Sequence, residues 1–134
     1  MNSLMNGSAR RSFKLMIVDD SNIMRRRIER SQQFDELELI GTAGNGLEAI
    51  ELFKKADPDV VTMDLTMPQM DGIEATQTIR KDPTFRNLPI ISLTAKAMKG
   101  DREKCIEAGA SDYITKPVDP DKLLSLMYVW LNKS

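Results

Sequence analysis

Two rhythms of hydrophobic and polar positions alternate along the chain. Short apolar runs recur at intervals, among them Leu15-Met16-Ile17-Val18, Val60-Val61-Thr62-Met63 and Ile90-Ile91-Ser92-Leu93. Runs of this length lacking a polar face read as strands buried on both sides. Between them lie longer stretches with apolar residues at helical spacing, as in Leu47, Ile50 and Phe53. The pattern predicts strands near residues 13–18, 37–43, 59–63, 89–93 and 112–115, and helices near 21–33, 46–56, 72–81, 99–108 and 119–132. Local signals mark the breaks. Asn45-Gly46 and Asp71-Gly72 open helices, Asp57-Pro58 stops one, Ala108-Gly109-Ala110 closes another, and Asp119-Pro120 supplies a cap followed by an N1 proline. Five βα units in this order imply an α/β domain with a five-stranded parallel sheet. Five helices would cover both faces in a doubly wound, three-layer α/β/α arrangement. Functional groups in such sheets gather beyond the carboxyl ends of the strands, where the strand order reverses.

The residues at those carboxyl ends are therefore informative. The first run ends in Asp19-Asp20, the third in Asp64, the fourth in Thr94 and the fifth in Lys116. Two adjacent carboxylates repel each other, and a divalent cation is the usual compensation. Mg²⁺ in particular favours one or two carboxylates together with water and phosphate oxygens. Acid pair, acid, hydroxyl and ammonium would converge on one spot. Taken singly, each residue has a plainer reading. Asp19-Asp20 suits a helix-capping turn, and Asp64 suits a surface acid at a strand end.

Composition narrows the chemistry further. The chain has 134 residues, enough for one domain with a real core. At 41% apolar, 29% charged and a formal net charge of −1, it gives no reason to expect nucleic acid or an anionic membrane as the main partner. No stretch approaches the roughly 18 apolar residues of a membrane span, and no signal peptide opens the chain. The chain contains no histidine, which removes Ser-His-Asp and Cys-His catalysis, His-ligated zinc and a phosphohistidine of its own. Cys105 is the only cysteine, so an internal disulfide is excluded and a cytoplasmic location is expected. Cys105 itself reads as a small, semi-buried helix residue. Residues 1–12 are polar and aperiodic and read as a disordered leader or tag remnant, with Met5 available as a second start.

The chain resembles response-regulator receiver domains of the CheY-like, flavodoxin-like type. The resemblance runs over about residues 13–132. It is carried by Ile17-Val18-Asp19-Asp20-Ser21, by Met63-Asp64-Leu65-Thr66-Met67-Pro68 and by Met70-Asp71-Gly72. Leu93-Thr94-Ala95 and Gly109-Ala110-Ser111-Asp112-Tyr113-Ile114-Thr115-Lys116-Pro117 complete it. The resemblance implies that residues 13–134 form a receiver domain in two-component signal transduction. Asp64 would be the phosphoacceptor. Mg²⁺, or Mn²⁺ in its place, would be held by Asp19, Asp20, Asp64 and the backbone carbonyl of Thr66. Thr94 and Lys116 would contact the phosphoryl group, Thr94 and Tyr113 would form the switch, and Lys116-Pro117 would be a cis peptide. The implied partners are a sensor histidine kinase or histidine phosphotransfer protein and a downstream protein target. The target would dock on the fourth helix, fifth strand and fifth helix of a monomer or weak dimer. No enzymatic turnover of a substrate is implied.

Other features separate into plain and pointed readings. Arg25-Arg26-Arg27 with Arg30 reads as a solvated helix face or as a docking surface for an acidic partner. The resemblance also implies that Thr66 and Lys96 border the path of hydrolytic water, and Lys96 would then slow phosphoryl loss. The opening residues resemble stand-alone receivers, whereas Leu93 to Asp101 and Lys81-Asp82-Pro83-Thr84-Phe85 resemble receivers attached to hybrid histidine kinases. A stand-alone receiver is the favoured expectation, with an excised kinase domain or a non-phosphorylated scaffold as alternatives. A flavodoxin-like cofactor binder would want a phosphate-cradling loop where Asp19-Asp20 stands. An aspartate-nucleophile phosphatase would want a second acid at Thr66.

Overall fold

The structure is a computed structural model that describes residues 13–19, 26, 27, 30, 37–65, 71–94, 100–116 and 118–132. Its strands are β1 (Phe13–Val18), β2 (Leu37–Ala43), β3 (Val60–Asp64), β4 (Ile90–Thr94) and β5 (Asp112–Thr115). Its α-helices are α1 (Gly46–Lys55), α2 (Gly72–Arg80), α3 (Asp101–Ala108) and α4 (Pro120–Leu131), with a 3₁₀ turn at Pro83–Phe85. The helix expected near 21–33 lies mostly outside the described residues, although Arg26, Arg27 and Arg30 within it have helical backbone. The expected fourth and fifth helices are thus α3 and α4. The leader at 1–12 also falls outside the described residues.

All strand pairs are parallel, in the order β2-β1-β3-β4-β5. Alternation along each strand divides the core into two layers. Leu15, Ile17, Val60, Ile91, Leu93 and Ile114 face one side, where Leu123 and Met127 of α4 cover them. Met16, Val18, Val61, Met63 and Ile90 face the other, under Ala49 and Phe53 of α1 and Ala75 and Ile79 of α2. This is the doubly wound α/β/α architecture that the continuous apolar runs predict.

Two strands are displaced by one residue from their expected positions. Pro89 has no N–H to give a ladder, so it contributes only its carbonyl, which accepts from Val61 N at 2.9 Å. β4 consequently runs Ile90–Thr94, and β3 runs Val60–Asp64 beside it. Asp64 pairs with Leu93 and Thr94 with Thr115, so they are the last residues of their strands rather than the first residues beyond them. β1 and β2 also slip register between Leu15 and Met16, an irregularity with no signal in the hydrophobic pattern.

The helix starts agree with their caps. Asn45 Oδ1 accepts from Glu48 N at 2.9 Å, Asp71 Oδ1 from Glu74 N at 2.8 Å, and Asp119 Oδ1 from Asp121 N at 3.0 Å. Gly109 ends α3 at φ 115°, in the left-handed region. At the far end of the sheet, Arg80 gathers several acceptors. Its Nε donates to Gly109 O at 2.7 Å, Nη1 to Phe85 O at 2.6 Å, and Nη2 to Ser111 Oγ at 3.4 Å. Ser111 Oγ in turn accepts from Ile90 N at 3.1 Å. Burial lowers the guanidinium's pKa from its ordinary value, and the surrounding acceptors keep the group satisfied.

Candidate functional site

The chain runs from β1 outward to β2, then crosses to β3 on the opposite side of β1. The order reverses between β1 and β3, and the crevice between their carboxyl ends is the topological switch point. Val18 is in register with Met63, so Asp19 and Asp64 take the next step of the two strands side by side. Both carboxylates are buried, Asp19 at 8% exposure and Asp64 at 2%. Asp19 is anchored by its amide, which donates to Ala43 O at 2.8 Å.

Pleat and register explain how Lys116 arrives at the same point. Asp64 is paired with Leu93, and Leu93 with Ile114, so these three share one side of the sheet. Lys116 is two residues beyond Ile114 and continues on that side. Its Nζ lies 2.9 Å from Asp64 Oδ2, a charge-assisted hydrogen bond spanning 52 residues of sequence. The Asp64 side chain is 3% exposed and that of Lys116 is 32%, so the ammonium reaches inward from a solvated edge.

Thr94 closes the site on the β4 side. It is buried, and its carbonyl accepts from Lys116 N at 2.7 Å. Thr94 pairs with Thr115, and Ser92 with Tyr113, which sets Thr94 and Tyr113 diagonally on one sheet face. Tyr113 is half-buried. Asp19, Asp64, Thr94 and Lys116 thus meet at one edge, as their placement at strand ends predicts. Asp20, Thr66, Pro117, Lys96 and Arg25 lie outside the described residues.

The donor set suits a hard divalent cation. Among the described residues, two buried carboxylates, Asp19 and Asp64, stand at the switch point, and Lys116 reaches Asp64. The side-chain donors there are oxygens, the ligand type that Mg²⁺ and Mn²⁺ prefer. The described residues alone contain no cluster of three acidic or thiol side chains, and Asp20 is outside them.

Two contacts, one at this site and one at the amino end of β5, have little or no signal in the sequence. Gly72 opens α2 directly against Asp64, and a Cβ there would clash with the Asp64 carbonyl oxygen. Its place after Asp71 marks a helix start but does not reveal this close approach. Trp130 Nε1 donates to Asp112 Oδ2 at 3.1 Å, joining the end of α4 to the residue before Tyr113. Nothing in the hydrophobic pattern pairs those two residues.

A parallel α/β domain with buried acids at its switch point defines a class of proteins that work at the carboxyl edge of the sheet. Comparison with known proteins specifies which. The family model described as response regulator receiver domain matches residues 15–128, and the chain belongs to that family. Chemotaxis protein CheY of Listeria monocytogenes is 39% identical over 116 residues, covering 86% of this chain and 95% of the relative. Among solved structures, the receiver domain of a sensor histidine kinase from Pseudomonas aeruginosa PAO1 superposes with TM-score 0.80 at 30% identity. The match covers 91% of this chain and 99% of that one, and that protein was solved with a magnesium ion coordinated in its active site cleft. CheY from a CheX-CheY-BeF₃-Mg complex of Borrelia burgdorferi matches with TM-score 0.80 at 33% identity, covering 93% and 94% of the two chains. The chain is therefore a receiver domain of the two-component response-regulator family, with the CheY-like fold.

Proposed function

We propose that this receiver accepts a phosphoryl group on Asp64 from a phosphohistidine of a partner protein. The 2.9 Å contact between Lys116 Nζ and Asp64 Oδ2 carries the reading, because it sets a part-exposed cation against a buried carboxylate at the switch point. In the transfer, an Asp64 carboxylate oxygen forms a bond to phosphorus as the P–N bond of the donor breaks. The electron pair of that bond returns to the donor imidazole, which leaves as neutral imidazole because its other ring nitrogen carries a proton, and Asp64 becomes an acyl phosphate. Carboxylate and phosphoryl group repel each other, so their approach requires cationic neighbours. Lys116 meets this need by exchanging Asp64 for a phosphoryl oxygen, a move suited to a point charge on a flexible stem. Thr94 donates its hydroxyl to another phosphoryl oxygen. Asp19, Asp20 and Asp64, with the Thr66 carbonyl, hold Mg²⁺ or Mn²⁺. When bound, that ion supplies Lewis-acid neutralisation of the phosphoryl group. The magnesium in the Pseudomonas receiver supports this assignment.

Signalling rests on the shared face of Thr94 and Tyr113. Movement of Thr94 toward the phosphoryl group frees space that Tyr113 enters, shifting the population between two packings of the α3–β5–α4 surface. A downstream protein reads that surface, and no substrate is turned over. The same reading takes the receiver to be stand-alone, cytoplasmic and monomeric or weakly dimeric, in keeping with its similarity to Listeria CheY. The histidine-kinase receiver from Pseudomonas keeps the attached-domain alternative in view.

Intact mass spectrometry after incubation with acetyl phosphate tests the reading. A Mg²⁺-dependent gain of one phosphoryl group, absent in Asp64→Ala, is expected. No gain in the parent, combined with no response to beryllofluoride, would leave the scaffold reading standing instead.

A further inference from the structure

Val118 lies between the Lys116 loop and helix α4, and its carbonyl takes a hydrogen bond from a residue distant in sequence. Val118 is buried at 4% exposure, so its acceptor needs a partner. Three of the following residues offer it no donor. Pro120 has no N–H, Asp121 N donates to Asp119 Oδ1, and Leu123 N donates to Asp119 O. The partner comes from 91 residues away. Arg27 Nη1 donates to Val118 O at 2.6 Å. On the other side of the loop, Lys116 N donates to Thr94 O at 2.7 Å. The stretch 116–118 is thus pinned at both ends, by the end of β4 and by Arg27. Between the two pins Lys116 leaves the backbone to reach Asp64. Pro117, which has no N–H, cannot add a donor between them.

We propose that Arg27 is a positioning residue for Lys116, a role that rests on Asp64 being the phosphoacceptor. By clamping the Val118 carbonyl, Arg27 fixes the direction from which the Lys116 ammonium approaches the phosphoryl group. It acts through the loop and not on the transferring group itself. The clamp ties the helical backbone at Arg27 to the loop bearing the lysine. This separates Arg27 from its neighbours in the arginine run, whose charge alone would act on donor proteins.

The experiment uses acetyl phosphate, a small donor that needs no docking surface, and tracks phosphorylation of the full chain by intact mass over time. Arg27→Met keeps the apolar stem and removes the donor, Arg27→Gln restores a neutral donor, and Arg26→Met controls for lost charge. Each variant is also made in a Lys116→Ala background, and thermal melts report folding. The expected result is that Arg27→Met slows transfer by about 10-fold, as a displaced catalytic group does. Arg27→Gln should recover much of the rate, while Arg26→Met stays near the parent. Mg²⁺ affinity should be unchanged, and the effect of Arg27→Met should vanish once Lys116 is Ala. Equal slowing in Arg27→Met and Arg26→Met would overturn the proposal in favour of long-range charge. An effect that persists undiminished without Lys116 would also overturn it, as would a loss of fold in both Arg27 variants. A parent that takes no phosphoryl group sinks the Asp64 reading first, and the Arg27 role with it. A parent that reacts normally while Arg27 variants match it sinks the Arg27 role alone.

Discussion

Asp64 and Lys116 illustrate how single residues acquire a role from where strands end. Neither is unusual in sequence, and each has an ordinary surface reading when considered alone. Register places both on the Leu93–Ile114 side of the sheet, and this brings them to the 2.9 Å contact. Lys116→Ala should lower the rate of phosphorylation by acetyl phosphate by about 10²-fold, the scale of losing one preorganised electrostatic donor. Its Mg²⁺ affinity, read by calorimetry, should persist because the acids remain. Asp19→Asn should do the reverse, weakening Mg²⁺ binding before it affects anything else. Gly72 is a different case. The dipeptide Asp71-Gly72 announces a helix start, yet the reason for glycine is the Asp64 carbonyl lying where a Cβ would stand. Gly72→Ala should cost about 1–3 kcal/mol of stability through overpacking, read as a lower urea midpoint at unchanged slope. A midpoint equal to the parent's would show that the first turn of α2 shifts freely.

At the scale of elements, the hydrophobic pattern predicts all five strands and the four α-helices whose bounds the described residues give. The departures at the strands that carry the site are of one residue and have physical causes. Proline chemistry at Pro89 sets the start of β4, and pairing with Leu93 and Thr115 keeps Asp64 and Thr94 inside their strands. The slip between β1 and β2 depends on hydrogen-bond pairing across strands, which apolar content does not encode. The 3₁₀ turn at Pro83–Phe85 and the Arg80 cluster beside it are equally invisible, because one side chain joins acceptors far apart in sequence. Arg80→Ala should leave part-buried acceptors unpaired at Gly109, Phe85 and Ser111. The loss should amount to about 1–3 kcal/mol in chemical denaturation. The site lies at the opposite edge of the sheet, so the phosphorylation rate of the folded variant should match the parent. A slowed reaction would reveal coupling across the sheet.

For the whole molecule, the candidate site is more legible in the sequence than its connections. Four strand-end residues with complementary chemistry point to one place, and Asp19, Asp64, Thr94 and Lys116 meet there. The links that would carry a signal away are not legible, since Trp130 to Asp112 and Arg27 to Val118 join segments with no shared pattern. Trp130 is the only tryptophan, and its hydrogen bond to the residue preceding Tyr113 makes it a reporter on the β5–α4 surface. Beryllofluoride with Mg²⁺ should change its emission in the parent and leave Asp64→Ala unaffected. An unchanged spectrum in a protein that binds beryllofluoride would argue against a switch on this face. The central claim, that Asp64 takes the phosphoryl group, is tested most directly by reductive trapping. The protein is phosphorylated with acetyl phosphate and Mg²⁺, reduced with borohydride, and mapped by peptide mass spectrometry. Homoserine at position 64 and at no other aspartate is the expected result. Homoserine elsewhere, or none while the intact protein carries a phosphoryl group, would contradict the account.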